Sequence, residues 1–263
     1  SVAYNPVTGD IDPRDYVIGN FNPARSDLFT VIRDIPTTRT MYLRKEAYLA
    51  LLKLYSDFNS IYPNVRNFSA ITDPLVHSIT LADHSPVVSA TRNLTDQAVI
   101  WTNKWNARQN ITHPVVRALS ILEYSSMPGT SRHHWGTDVD LFSLDNKFFE
   151  SGDGKIWYSW MVQNAANMDS ANPTLQVSFP QNYLMNNSSA NLSKTPNAGR
   201  CTGYYEEKWH WSYQPLSSLL LQQWNAFYIQ DVCSWVRSTQ FPGNRDACAL
   251  APAYVNTINP ACF

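Results

Sequence analysis

The stretch Ser131-Arg132-His133-His134-Trp135-Gly136-Thr137-Asp138-Val139-Asp140 gathers histidine, carboxylate and glycine in a chain that holds only 6 histidines and 9 glycines in 263 residues. Imidazole nitrogen and carboxylate oxygen are suitable ligands for Zn²⁺. Two ligands alone make a weak site, so a third has to come from elsewhere. Glu207-Lys208-Trp209-His210 supplies a further imidazole, with a carboxylate three residues before it. The two segments are expected to meet around one Zn²⁺ and to hydrolyse a peptide bond. Two imidazoles and one carboxylate leave a fourth position for water, as in a catalytic rather than a closed structural site. Zinc lowers the pKa of such a water to about 7 and polarises a scissile carbonyl. A neighbouring carboxylate can take the water proton and pass it to the leaving amine, and Glu207 is the candidate. A cation is wanted for the developing oxyanion, and Arg92 is the candidate.

Several elements must position these groups. Thr137 to Phe142 alternates as a half-buried strand, with Val139 and Leu141 on one face and Asp138, Asp140 and Phe142 on the other. Asp140 then faces away from the apolar side, toward a cleft. Tyr204 to Gln214 is aromatic and β-prone. A regular strand would send Glu207 and His210 to opposite faces. Both reach one site only if Glu207 sits in a turn or bulge ahead of the strand proper, expected over 208–214. Arg92 follows a short apolar run, Val87 to Thr91, read as a buried strand. It precedes a helix capped by Asn93 or Thr95 that continues through Trp101 and Trp105.

The remaining pattern reads as scaffold. Leu43, Ala47, Leu51, Leu54 and Phe58 recur at helical spacing. A helix with Pro114 in its first turn runs to about Tyr124, and another from Lys155 to Asn167 turns Ile156, Trp160 and Met161 inward. Residues 174–179 alternate as a strand, and 181–200 form an exposed Asn- and Ser-rich loop. Pro215 opens a helix with Leu216, Leu219, Leu220, Trp224 and Phe227 on one side. Residues 1–40 read as an extended arm and 238–263 as an irregular tail. With no repeat and no linker, 1–263 is expected to be one domain.

Composition narrows the function. A net charge of -1 without a basic block argues against a nucleic-acid partner. No apolar run approaches the ~20 residues needed to span a bilayer. Cys201, Cys233, Cys248 and Cys262 form no C-x-x-C pair, so two disulfides in an oxidising compartment are expected. The chain opens at Ser1 without methionine, as the mature part of an exported protein would.

The paired motif carries a resemblance. Ser131-x-His133-x-x-Gly136-x-Asp138-x-Asp140, followed by Glu207-x-Trp209-His210, resembles the zinc D-alanyl-D-alanine carboxypeptidases related to the vancomycin-resistance dipeptidases and carboxypeptidases. That family's pattern is S-x-H-x-x-G-x-A-x-D, then E-x-x-H. Asp138 departs from it, standing where alanine is usual, and an extra acid there could tune the water or the substrate preference. Ser89-Ala90-Thr91-Arg92 with Gln97 is similar to the family's substrate segment. The resemblance implies His133, Asp140 and His210 as ligands of one Zn²⁺, with His134 the alternative to His133. It implies Glu207 as general base and acid, Arg92 as anion stabiliser, and Ser131 and Gln97 against the substrate, where Trp209 is a further candidate. The implied fold is α+β, of the Hedgehog/DD-peptidase type: an antiparallel sheet carrying the zinc on one face, flanked by helices. The implied protein is a secreted or periplasmic monomer that trims the terminal D-alanine from peptidoglycan stem peptides. An L,D-carboxypeptidase or a peptidoglycan endopeptidase is the nearer alternative. A zinc-bearing binding or signalling module without turnover is an alternative of another class.

Overall fold

The computed structural model describes residues 5–63, 65, 86–165, 203–205, 207–238 and 240–256. The strand expected at 174–179, the loop at 181–200, and Cys201 and Cys262 lie outside the described residues. Two small antiparallel sheets lie among helices, and the fold is α+β.

Residues 5–40 hold more order than an extended arm. The Asp12 side chain accepts from the Arg14 amide at 2.8 Å and caps α1 (Pro13–Val17), whose first residue is a proline. Strand β1 (Phe29–Val31) then pairs with β2 (Tyr42–Arg44), with Thr30 opposite Leu43. The Pro, Asp and Asn that read as loop residues serve here as caps and first turns of elements too short to show a period. Tyr16 and Val17 are buried in the core. The buried Arg44 guanidinium donates to the Val7 carbonyl and, over 3.0 Å, to the Tyr16 hydroxyl, tying this segment to β2.

Helix α2 (Lys45–Ile61) buries Ala47, Leu51, Leu54 and Phe58 as its spacing requires, while Leu43 belongs to β2. Helix α3 (Leu94–Asn106) starts with a capping box: Asp96 N donates to Asn93 Oδ1 at 2.8 Å and Asn93 N to Asp96 Oδ2 at 3.0 Å. Helix α4 is Pro114–Ile121 and α5 is Gly152–Asn164. In α5 the inward stripe is Trp157, Trp160 and Met161, and Ile156 is 38% exposed rather than inward. Trp157 takes the inner position because its ring meets Phe58 and Phe142 edge-on, both at 4.9 Å. Helix α6 (Gln214–Tyr228) buries Leu220, Leu221, Trp224 and Tyr228, and leaves Leu219 41% exposed against expectation.

Among the described residues, the C-terminal part up to Asn256 is mostly helical where an irregular tail was expected. It runs through α7 (Val232–Ser238), α8 (Asn244–Ala247), a 3-10 turn at Cys248–Leu250 and α9 (Ala251–Asn256). Each piece is shorter than a periodicity window can register. Small buried residues, Ala247, Cys248 and Ala251, let these turns pack closely, and a disulfide joins Cys233 to Cys248.

The strand pair that matters most is β3 (Asp138–Asp140) with β4 (His210–Ser212), antiparallel, with Asp140 opposite His210 and Asp138 opposite Ser212. On the other edge of β3 an isolated bridge joins Ser89 to Asp140. The strand expected over 87–91 is reduced to this bridge and one between Thr37 and Val87, because β3 is only three residues long and offers one partner. β4 is likewise shorter than expected, since α6 begins at Gln214. Two hydrophobic clusters flank the pair. Trp135 packs into one, and Val139, Leu141, Trp209 and Trp211 into the other.

Candidate metal centre

Alternation in β3 drives Val139 and Leu141 into the core and leaves Asp138 and Asp140 side by side on the opposite face. Cross-strand pairing brings the His210 ring against them. His133 arrives on a 3-10 turn, Arg132–Trp135, capped by Ser131 Oγ, which accepts from His133 N at 3.2 Å. The turn ends at Gly136 in the left-handed region, φ 72°. A β-carbon at Gly136 would collide with the Phe29 ring and come within 2.9 Å of Arg44 Cγ, so the motif requires glycine there. Trp135 anchors the turn, its indole donating to Val17 O at 2.9 Å and its carbonyl accepting from the Tyr16 hydroxyl at 2.8 Å.

Hydrogen bonds fix both rings. His133 Nδ1 lies 2.8 Å from Ala90 O. A carbonyl only accepts, so Nδ1 carries the proton and the Nε2 lone pair faces Asp140 Oδ2 at 3.3 Å. His210 is used the other way round. Its Nε2 lies 2.6 Å from Asp138 Oδ2, and its Nδ1 lies 3.0 Å from Asp140 Oδ1. One ligand atom from each of His133, Asp140 and His210 lies within 4.8 Å of the other two, and all three residues are buried. Two imidazole nitrogens and a carboxylate oxygen gathered this closely fit one Zn²⁺, which these three residues would hold.

The charges of these side chains follow from their burial and from one another. Desolvation works against the His210 cation, but hydrogen bonds and charge from Asp138 and Asp140 prevail and raise its pKa to about 9. Burial also disfavours both carboxylates, yet Arg132 and His210 hold Asp138 well below the usual carboxylate range. His133 and His210 do the same for Asp140.

Glu207 sits in the turn ahead of β4, as its odd spacing from His210 demanded. His210 N donates to Glu207 O at 3.2 Å, and Glu207 Oε2 lies 3.8 Å from His210 Nδ1. Burial, reinforced by the charge of Asp140, pushes the Glu207 carboxyl up to about 8 against the pull of His210, Arg92 and Lys104. Arg92 is held from two sides: Nη1 donates to Ser89 Oγ at 2.7 Å and Nε to Gln97 Oε1 at 2.9 Å. Its Nη1 lies 3.9 Å from Asp140 Oδ2.

A cleft of about 710 Å³ opens over these groups. His133, Asp140, His210, Glu207 and Arg92 line it on one side, and Tyr124, Asn146 and Trp209 line its walls. Two of the residues expected against substrate are placed elsewhere. Gln97 is fully buried, and its amide donates to Ser126 O at 2.8 Å while its oxygen holds Arg92. Ser131 is buried beneath His133 as its cap. His134 is turned away as well: Nδ1 meets Arg92 O at 2.7 Å and Nε2 accepts from Gly129 N at 3.0 Å. Burial lowers its pKa to about 3, so it is a neutral brace between two loops.

The family model for VanY, D-alanyl-D-alanine carboxypeptidase, matches residues 78–216, more than half of the chain. The chain belongs to this family. A mutant of the vancomycin-resistance D,D-pentapeptidase VanY from a VanB-type resistance cassette, in complex with Zn(II), is 17% identical, with a TM-score of 0.42, over 74% of this chain and 84% of that one. VanYB in complex with D-alanine-D-alanine is 15% identical, with a TM-score of 0.43, over 83% of this chain and 93% of that one. The LdcB LD-carboxypeptidase is 18% identical, with a TM-score of 0.43, over 79% of this chain and 76% of that one. A comparison with curated proteins finds no match.

One cleft residue of this D-alanyl-D-alanine carboxypeptidase family member escaped the motif reading. Lys104 lines the cleft, half-buried, with Nζ donating to Ser125 Oγ at 2.5 Å. Desolvation lowers its pKa. Its signal in the sequence was the helical stripe Gln97, Trp101, Lys104, which places a cation on the inward side of α3.

Proposed function

We propose that the protein is a zinc-dependent carboxypeptidase that removes the terminal D-alanine from peptidoglycan stem peptides. The reading is carried by His133 Nε2, Asp140 and His210 Nδ1 meeting in one buried cluster beside Glu207, in a chain of the D-alanyl-D-alanine carboxypeptidase family. His133, Asp140 and His210 would hold one Zn²⁺. That ion, when bound, supplies Lewis acidity toward a scissile carbonyl and an acidified water.

The chain's own groups do the rest. Glu207 takes the water proton and returns it to the amine of the departing D-alanine. Its carboxylate, buried beside the ligand His210, is placed to do both. Arg92 presents its guanidinium to the carbonyl oxygen as that atom becomes anionic. Gln97 and Ser89 hold Arg92 in place, and Ser131 acts through the His133 turn. Lys104, beside Ser125, receives the free carboxylate of the substrate, and a cation in the cleft suits removal of a terminal residue. Trp209 and Tyr124 form an apolar wall for the methyl groups.

A peptidoglycan substrate calls for a protein that works outside the cytoplasm. The Cys233–Cys248 bridge suits an oxidising compartment. Among the described residues no helix is long and apolar enough to cross a membrane.

The test is purified, zinc-loaded protein given a stem peptide ending in D-Ala-D-Ala, with released alanine followed over time. Release from the D,D peptide, and little from one ending in an L,D bond, is expected. No release with zinc bound overturns the reading, and preferential cleavage of the L,D peptide replaces it with an L,D-carboxypeptidase.

A further inference from the structure

Asp138 is the member of the metal motif to which the proposed reaction gives no task. The residue is 0% exposed, yet donors meet both of its carboxylate oxygens. Oδ2 receives His210 Nε2 at 2.6 Å and Arg132 Nε at 3.2 Å. Oδ1 receives Thr137 Oγ1 at 2.6 Å and Ser212 Oγ at 2.8 Å. Arg132 is buried too; its Nη2 reaches Ser212 Oγ at 3.0 Å and its guanidinium carbon lies 4.8 Å from the centre of the Trp135 ring. A salt bridge this deep contributes little net stability as a rule, because stripping water from two charges offsets their attraction. Its position against a proposed metal ligand gives it another use.

We propose that Asp138 is a positioning residue that accepts the Nε2 proton of His210, so that the Nδ1 lone pair of that ring is offered to the metal, with Arg132 as the counter-charge. The inference rests on the reading of His210 as a ligand. The strand register produces the arrangement. Asp140 lies opposite His210, and Asp138 lies one pair further along on the same face, opposite Ser212. One imidazole is therefore flanked on its Nδ1 side by a ligand carboxylate and on its Nε2 side by Asp138.

His133 is oriented by a neutral group, the Ala90 carbonyl. A carboxylate is the stronger acceptor, and it raises the basicity of the ring that donates to it. The two imidazoles are thus unequal donors, and His210 is the stronger. Arg132 neutralises Asp138, so this orientation adds no net negative charge to the site.

The experiment measures zinc affinity by competition with a chromophoric chelator. It also measures the His210 tautomer by nitrogen-15 NMR of the zinc-loaded protein. In the unmodified protein, His210 should bind through Nδ1 and carry a strongly hydrogen-bonded Nε2 proton. Ligation through Nε2 would overturn the proposal without any variant. Asp138→Asn removes the charge, and Arg132→Met with Asp138→Ala removes both charges together, so that neither is stranded. Both variants are expected to bind zinc about 10–100-fold more weakly and to shift or lose the Nε2 proton signal. Folded variants with unchanged affinity and signal would reduce Asp138 to a structural ion pair. They would leave the carboxypeptidase reading intact. An unmodified protein that binds no zinc would remove that reading, and this inference with it.

Discussion

Asp140 and His210 stand directly opposite each other across the β3–β4 pair, with Asp140 Oδ1 3.0 Å from His210 Nδ1. The two residues lie far apart in the chain, and only the ladder brings them together. The metal cluster is therefore a product of the sheet register. A one-residue slip of β4 would send His210 to the opposite face.

Zinc should stabilise the fold, because the cluster exists only in the native state. At about 100-fold excess over the dissociation constant, a ligand of the native state contributes about 2.7 kcal/mol. Each kcal/mol moves Tm by about 2–4 °C in a chain of this size. Thermal melts with zinc and with chelator should differ by that order for the unmodified protein. For His210→Ala they should nearly coincide.

Glu207→Gln should keep zinc and lose activity by about 10²–10⁴-fold. It should also alter the pH dependence of stability in the metal-free protein. The native carboxyl titrates at about 8 against an ordinary 4.5, so the folded chain holds a proton that the unfolded chain has lost between those values. Stability contributed by Glu207 is fully present below the lower value and is lost as pH rises through the upper one. Melts of the metal-free variant should match those of the unmodified protein at low pH and lie above them in alkaline buffer. Parallel profiles would contradict the burial account.

Arg92→Ala should lower kcat by about 10²–10³-fold with a smaller change in KM, as expected for a group that acts on the oxyanion. Arg92→Lys should rescue little, since one ammonium cannot reach both Ser89 and Gln97 as the guanidinium does. Gln97→Leu should give a milder loss in the same parameter, because it acts through Arg92. Steady-state kinetics on one peptide tests all three.

Lys104→Met should raise KM for peptides with a free terminal carboxylate, by about 10–100-fold for a lost charge-assisted contact. Its effect on an amidated peptide should be small. Equal losses on both peptides would show that Lys104 supports the fold of the wall and does not bind the carboxylate.

Local pattern carried part of this architecture. Alternation over Asp138–Asp140 shows which way Asp140 faces. It breaks at Phe142, expected on that same face, where a backbone φ of 67° turns the ring into the core with Val139 and Leu141. The odd spacing of Glu207 and His210 forces a turn between them. The sequence offers Asn93 or Thr95 as a cap ahead of an apolar stripe, and the capping box with Asp96 decides for Asn93. Other features depend on distant partners. Trp157 displaces Ile156 from the inner face of α5 because Phe58 and Phe142 are there to receive its ring. Gln97 and Ser131 lie close to the site in the chain, but Gln97 is turned beneath it by its distant partner Ser126 and Ser131 by capping the His133 turn. Asp138 shows as an unexplained acid until the register sets it against His210. The short helices before residue 40 and after 238 span too few turns to leave a period.

The most direct measurement is anomalous scattering at the zinc edge from crystals of the zinc-loaded protein. A single strong peak is predicted among His133 Nε2, Asp140 and His210 Nδ1, with one face open to the cleft and Glu207 beside it. A peak elsewhere, or an ion closed off by four protein ligands, would contradict the account.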